Sequence, residues 1–353
     1  MDHLTFGRRS GLRVSAYALG TANFGTAWGG GADAAGARAL LDRFADAGGT
    51  LVDTADSYQD GQAETLLGEI LAGRRDDFTL ATKSGYGLAS AHRSVLNTGN
   101  SRSAMIRSLE GSLRRLRTDH VDLYWAHFPD DLTPVDEIVA TLDDLVRAGK
   151  VRYAGLSNFP AWRTARAVTL GEAAGRVPVV GIQTEYSLIE RTADRELLPM
   201  AEALGLGAVL WGPLGGGLLT GKYRHGTEGR LTDWQGRVIR TESDRHRTAV
   251  LDEVLSVARE VGAPPGRVAV AWLDDRARRA AATRVTVIGP RSTAQLDDYL
   301  AARELRLDDT HLRRLDAVSA TALGSPHEIA RGARDALRGG DAARIRTPEP
   351  SVP

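Results

Sequence analysis

One repeated pattern limits what this chain can fold into. A short β-rich apolar run, a polar turn and a longer amphipathic stretch recur eight times along 353 residues. The apolar runs predict strands at 14–20, 50–53, 78–83, 121–127, 153–157, 179–184, 207–211 and 285–288. The amphipathic stretches predict helices near 33–48, 62–72, 101–118, 134–149, 160–175, 193–204, 247–261 and 293–303. Pro134 and Pro160 suit a first helical turn, and Gly48, Gly149 and Gly175 suit helix C-termini. Strands that each lead into a helix favour an α/β architecture, a parallel sheet closed as a (β/α)8 TIM barrel. A doubly wound sheet would instead carry a Gly-x-Gly-x-x-Gly turn after an early strand. None occurs: Gly85-Tyr86-Gly87 runs on into Leu88-Ala89-Ser90.

Four segments depart from the repeat. Residues 4–6 and 12–14 flank a turn at 7–11 and read as an N-terminal β-hairpin that plugs the barrel's bottom. The stretch 213–245 after the seventh strand is far longer than a usual connection, as functional lids or disordered loops are. A further helix at 266–279 precedes the eighth strand. From about Ser319 the chain turns Ala/Arg/Gly/Pro-rich, which reads as a partly disordered tail, 319–353, after one barrel domain, 1–318.

Composition removes several function classes. With no cysteine there is no disulfide scaffold, zinc ribbon, iron–sulfur site or thiol nucleophile, and no metal site is expected. Equal numbers of basic and acidic residues, 45 each, argue against nucleic-acid binding, which needs a concentrated positive surface. No apolar run is long enough to span a membrane, and the opening residues Met1-Asp2-His3-Leu4-Thr5-Phe6 lack a signal-peptide pattern. The expected setting is cytoplasmic and the expected partner a small molecule. Residues 216–222 spell the spacing Gly-x-x-x-x-Gly-Lys, but Tyr223 stands where a phosphate-binding loop needs Ser or Thr.

Active sites of such barrels form where the strands end. Asp53 ends the second predicted strand, Lys83 the third and His127 the fourth. Ser157 and Asn158 end the fifth, Gln183 lies near the end of the sixth, and Trp211 ends the seventh. Taken singly, each has a bland reading: a capping Asp, a surface Lys, a satisfied core His. Together they aim an acid, a base, an imidazole and an amide at one rim. Buried charges are costly unless paired, so Asp53 and Lys83 are expected to pair. Tyr58 follows in the loop after Asp53. A phenol ionises near pH 10, and a neighbouring ammonium is expected to lower that value and make Tyr58 a proton donor to a carbonyl oxygen. His127 can donate a hydrogen bond to the same oxygen.

These residues and their surroundings resemble the aldo-keto reductase family over residues 4–305. The motifs are Gly48-Gly49-Thr50-Leu51-Val52-Asp53-Thr54-Ala55 with Ser57-Tyr58, Thr82-Lys83, and Val121-Asp122-Leu123-Tyr124-Trp125-Ala126-His127. They continue with Gly155-Leu156-Ser157-Asn158-Phe159, Gln183-Thr184-Glu185-Tyr186 and Gly217-Leu218-Leu219-Thr220-Gly221-Lys222-Tyr223. The pattern is similar to the branch holding aryl-alcohol-dehydrogenase-like and potassium-channel-β-like members. The resemblance implies an NADPH-dependent oxidoreductase with Asp53, Tyr58, Lys83 and His127 as its catalytic tetrad. It implies cofactor contacts from Gly20, Thr21, Asp53, Ser157, Asn158 and Gln183. Trp211 stands at the family's stacking aromatic, usually tyrosine, and Gly212 replaces a common serine. Pro213, Leu214, Leu218 and Lys222 match the loop that straps the cofactor. Gly289, Arg291, Gln295 and Tyr299 match the segment for the adenosine phosphate, which favours NADPH over NADH.

Trp28, Tyr86 and Phe128 are candidate walls of a substrate pocket suited to an aromatic or sugar-like aldehyde or ketone, and the Ala/Arg/Gly-rich composition suggests a setting in secondary metabolism. Two other readings stay open. One is an NADPH-binding regulatory subunit with little turnover, like potassium-channel β subunits. The other is a barrel enzyme using Lys83 as a Schiff-base nucleophile, which a protonated Lys83 would oppose.

Overall fold

Short strands buried on both faces need hydrogen-bonded neighbours on both edges, and closing the sheet supplies them. The computed structural model describes residues 1–86, 94–224, 240–341 and 345. In it, β1 (His3–Thr5) and β2 (Arg13–Ser15) pair antiparallel. Eight parallel strands then close a barrel: β3 (Tyr17–Gly20), β4 (Leu51–Asp53), β5 (Thr79–Ser84), β6 (Val121–Ala126), β7 (Val151–Ser157), β8 (Val179–Glu185), β9 (Gly207–Trp211) and β10 (Arg284–Ile288), the last returning to β3.

The outer ring is α1 (Ala34–Asp46), α2 (Gln62–Ile70), α3 (Arg102–Leu116), α4 (Val135–Arg147), α5 (Ala161–Ala173) and α6 (Leu197–Ala203). After β9 come α7 (Arg245–Val261) and α8 (Pro265–Arg279), and after β10 α9 (Thr293–Ala301), α10 (Asp309–Ser319) and α11 (His327–Leu337). The (β/α)8 barrel with its N-terminal hairpin is therefore the architecture the repeat predicts. Asp33, Ser101, Asp244, Ser292 and Asp308 each accept an orphan backbone N–H at a helix start. Pro134 and Pro160 sit one step earlier than the spacing suggests, at the N-cap. Gly48, Gly149 and Gly175 follow their helices with φ of 78°, 74° and 61°, the left-handed conformation that ends a helix most cheaply at glycine. No helix among the described residues is long and apolar enough to cross a membrane.

One correction concerns a boundary. The predicted strand 14–20 is two strands, because Ser15 turns its hydroxyl onto the bottom of β4. There Ser15 Oγ accepts from the backbone N–H of Thr50 and Leu51, both at 3.0 Å, and the chain changes direction at Ala16. In the stretch read as a partly disordered tail, 319–353, residues His327–Leu337 form α11, with Ile329 and Leu337 exposed. Residues 342–344 and 346–353 lie outside the described residues, as do 225–239 of the long stretch after β9.

Apolar residues form two layers. The larger lies between strands and helices; the smaller fills the barrel with Phe6, Leu12, Val14, Ala18, Leu51, Ala81, Leu123, Trp125 and others. Phe6, from the hairpin, closes the bottom. The opposite end is left for polar side chains.

Candidate active site

Alternation along β5 points Ala81 and Lys83 inward together, so Lys83 reaches the barrel's top from inside. Asp53 ends the neighbouring β4. The buried Lys83 Nζ donates to Asp53 Oδ2 at 2.6 Å, to the Thr54 carbonyl at 2.8 Å and to Tyr58 Oη at 3.0 Å. Burial pulls the Lys83 pKa down, but Asp53 and Tyr58 outweigh it and the pKa is raised from its ordinary value. Lys83 thus remains an ammonium, which removes the Schiff-base reading.

Tyr58 departs from expectation in direction. Burial, the largest influence, raises its pKa; the Lys83 charge pulls it down, and the net shift is upward. The phenol keeps its proton at neutral pH. His127 follows β6 directly, its backbone N–H donating to the Ser84 carbonyl at 3.0 Å. Burial and the Lys83 charge hold its imidazole well below the usual pKa, so it is neutral. Its buried Nδ1 has no hydrogen-bond partner among the described residues.

The candidate substrate walls surround these two rings. Trp28 meets Tyr58 edge-on at 6.4 Å, and Tyr58 meets His127 at 6.2 Å. Tyr86 lies 5.4 Å from the His127 ring and 5.2 Å from Phe128, which lies 4.7 Å from His127. Tyr86 and Phe128 are both exposed at the mouth.

The cofactor candidates fall on adjoining stretches of rim. Asn158, at φ 59°, donates through Nδ2 to Ser157 Oγ at 2.9 Å and to the His127 carbonyl at 3.0 Å, and accepts from Trp211 Nε1 at 3.1 Å. Gln183 Nε2 donates across the barrel to Asp53 Oδ1 at 2.9 Å. Further round, Gly212, Gly215, Gly216 and Gly217 have positive φ. A Cβ at Gly217 would lie 3.0 Å from Lys222 Cε and 3.4 Å from its Nζ, so glycine leaves backbone open beside an ammonium. Arg291 precedes α9, whose Ser292 cap leaves a helix N-terminus facing outward. Polar groups from β7 and β8, an aromatic face at the end of β9 and a glycine–cation corner suit a nicotinamide dinucleotide.

Not every candidate stands free for a ligand. The Leu218 side chain is buried in the core, Gly20 packs against Val287, Thr21 Oγ1 donates to the Asp53 carbonyl, and Gln295 Oε1 accepts from Arg291 N at 2.9 Å. Tyr299 is half-buried against the main core. Pro213 and Leu214 begin the turn that carries the glycines, and Gly289 directly follows β10, its carbonyl accepting from Asn23 Nδ2 at 2.9 Å.

Sequence reasoning missed the residues that hold these loops. Asn100 Nδ2 donates to the Phe128 carbonyl at 2.7 Å. Arg240 pairs with Glu185 and, at 3.6 Å, Glu190, tying the far side of the long stretch to β8. Beneath Lys83, the buried Asp56 accepts from Ser108 Oγ at 2.7 Å, and the buried Glu64 accepts from Thr82 Oγ1 at 2.6 Å and pairs with Arg115. The acidic side chains of Asp56 and Glu64 lie inside quoted motifs; the remaining contacts follow no period and leave no sequence signal.

The profile of the Aldo/keto reductase family matches residues 17–320. The chain is 38% identical to "Uncharacterized oxidoreductase YrpG" of Bacillus subtilis, over 89% of this chain and 95% of that one. It is 32% identical to "Norsolorinic acid reductase" of Aspergillus flavus, over 92% of this chain and 82% of that one. It is also 30% identical to "Putative voltage-gated potassium channel subunit beta" of Schizosaccharomyces pombe, over 88% and 91%.

Proposed function

The chain belongs to the aldo/keto reductase family and is an oxidoreductase; from that premise we propose that it reduces the carbonyl of an aromatic aldehyde or ketone to an alcohol with NADPH. One observation carries the reading: Lys83 Nζ bridges Asp53 at 2.6 Å and Tyr58 Oη at 3.0 Å, with a neutral His127 against the Tyr58 ring.

Trp211, Ser157, Asn158 and Gln183 would hold the nicotinamide, and Lys222, Arg291 and the N-terminus of α9 the phosphates. The last group supports a 2′-phosphate and so NADPH. When held there, the reduced nicotinamide would be the hydride source for the carbonyl carbon. Tyr58, protonated at neutral pH, hands its proton to the carbonyl oxygen. As the phenol loses that proton, the Lys83 ammonium 3.0 Å away stabilises the oxyanion left on Tyr58, and Asp53 keeps the ammonium charged. A neutral imidazole has one N–H to donate, and His127 would aim it at the same oxygen. Trp28, Tyr86 and Phe128 offer ring faces and edges that suit a flat apolar substrate better than an anion. The similarity to norsolorinic acid reductase is in keeping with an aromatic ketone.

The test is turnover of NADPH with a panel of aromatic and sugar-like aldehydes and ketones, on wild type and Tyr58→Phe. Wild type should turn over members of the panel, while the variant should bind NADPH with near-normal affinity and lose turnover. Wild-type-like turnover in Tyr58→Phe would end the mechanism. A protein that retains NADPH tightly yet reduces nothing would favour the regulatory-subunit reading, which the similarity to the potassium-channel-β-like protein supports.

A further inference from the structure

The turn that carries Tyr58 is strained where a strained turn is easily avoided. Gln59 and Asp60 have φ of 50° and 55°, and Gly61 has 90°. Side chains rarely adopt that left-handed region, because Cβ crowds the following carbonyl. Strain of this kind persists only where surrounding contacts hold it. At Gln59 those contacts are visible. Its side chain is fully buried, its Oε1 accepts from Trp28 N at 2.8 Å, and its Nε2 donates to the Ala22 carbonyl at 2.8 Å. One carboxamide thus bridges both legs of the loop between β3 and α1.

Gln62 completes the grip, its Oε1 accepting from Thr26 N at 2.9 Å and Ala27 N at 3.2 Å. The loop backbone lies directly on these two side chains. A Cβ at Gly25 would meet Gln62 Oε1 at 2.6 Å and Gln59 Cβ at 2.9 Å. Three successive amides, of Thr26, Ala27 and Trp28, therefore end on glutamines of the Tyr58 turn. The same turn sends Tyr58 into the site, where its ring meets the Trp28 indole edge-on at 6.4 Å.

We propose that Gln59 is a specificity-determining positioning residue, whose carboxamide fixes the Trp28 loop over Tyr58 and so selects carbonyl compounds with a flat aromatic body. This deepens the proposed reductase reading and rests on it. Gln59 touches no reacting atom and acts through Trp28. Gln59→Gly removes the clamp while relieving the left-handed backbone, so the variant should fold. Gln59→Asn tolerates the same backbone but falls one methylene short of Trp28 N and the Ala22 carbonyl.

Two probes read the effect, 2-naphthaldehyde and butanal, each with NADPH. The ratio of kcat/KM for naphthaldehyde over butanal should fall about tenfold in both variants, through KM for the aromatic probe. In a Trp28→Ala background, Gln59→Gly should lower that ratio no further, since the two residues act as one unit. Hydrogen exchange of a peptide spanning residues 22–32 should accelerate in Gln59→Gly. A ratio unchanged in both variants, an undiminished fall without Trp28, or unaltered exchange overturns the assignment. A wild type that reduces neither probe nor any other carbonyl overturns the parent reading instead, a result separable because exchange reports on the clamp without turnover.

Discussion

An ammonium has three N–H bonds, and Lys83 directs all three at protein oxygens inside the barrel. Behind it stands a carboxyl with no such partner. Asp56 is buried, accepts a hydrogen bond from Ser108, and has an Oδ1 without a hydrogen-bond partner among the described residues. Burial pushes its pKa from 3.8 up to about 7 against the Ser108 hydrogen bond, which lowers it; Glu64 on α2 adds to the rise and Arg115 on α3 opposes it. The phenols of Tyr124 on β6 and of Tyr58 also feel its charge. The sign follows from linkage. The folded protein holds this proton more tightly than the unfolded chain, so Asp56 costs nothing below pH 3.8. The penalty grows as pH rises through that value and is complete above about 7, each unit being worth about 1.4 kcal/mol. Asp56→Asn keeps an oxygen for Ser108 and cannot ionise. Its melting temperature relative to wild type should therefore climb by a few degrees between pH 5 and pH 8. A difference independent of pH would mean that Asp56 carries no such penalty.

At the scale of elements, the segment leaving β9 is built to be fastened at both ends. Gly215–Thr220 and Lys222–Arg224 form tight turns over the rim, and beyond residues 225–239 Arg240 reaches back to Glu185 and Glu190. Glu185 is the last residue of β8, so the fastening point is rigid. On the NADPH reading, Arg240→Ala should leave melting nearly unchanged and speed cofactor release about tenfold, as losing one partner of a half-buried ion pair mainly raises an off-rate. Stopped-flow NADPH fluorescence gives that rate, and an unchanged off-rate would detach the segment from cofactor retention. Such fastenings mark the limit of what the residue order reveals. The strands were legible because buried apolar runs are short and continuous, and the polar rim because side chains at strand ends must face the barrel mouth. The split at Ala16 depends on one serine hydroxyl meeting two amides of β4. The α10 and α11 helices were missed for a different reason. Their Ala- and Arg-rich segments lack a strong apolar run, and α10 is held mainly through Leu312, Leu315 and Arg314 pairing with Glu253 and Glu260 of α7. That Asp53, Tyr58, Lys83 and His127 lie together at the rim was readable as positions; the upward pKa of Tyr58 was not, since burial is a property of the folded barrel.

For the molecule as a whole, packing and chemistry occupy opposite ends of one barrel. Phe6 is fully buried at the bottom, where Cβ atoms at Gly181 and Gly207 would lie 2.4 Å and 2.5 Å from its ring. It meets Trp125 edge-on at 6.4 Å, and Trp125 fills the barrel two positions before His127, above the gap left by Gly155. Glycines of three strands thus make room for two aromatic rings inside the barrel. Conservation of function would require only that these rings keep the strands at their spacing, so the plug should contribute stability alone. Phe6→Ala leaves a cavity bounded by backbone on two strands, which can collapse little, and a buried Phe→Ala change typically costs about 3–5 kcal/mol. The urea midpoint should fall accordingly with an unchanged slope, while kcat/KM for any carbonyl that wild type reduces should stay within about twofold under native conditions, since the mutation lies outside the site. A loss of turnover matching the loss of stability, in protein verified as folded, would show that the bottom of the barrel tunes the rim, and the division of labour would have to be abandoned.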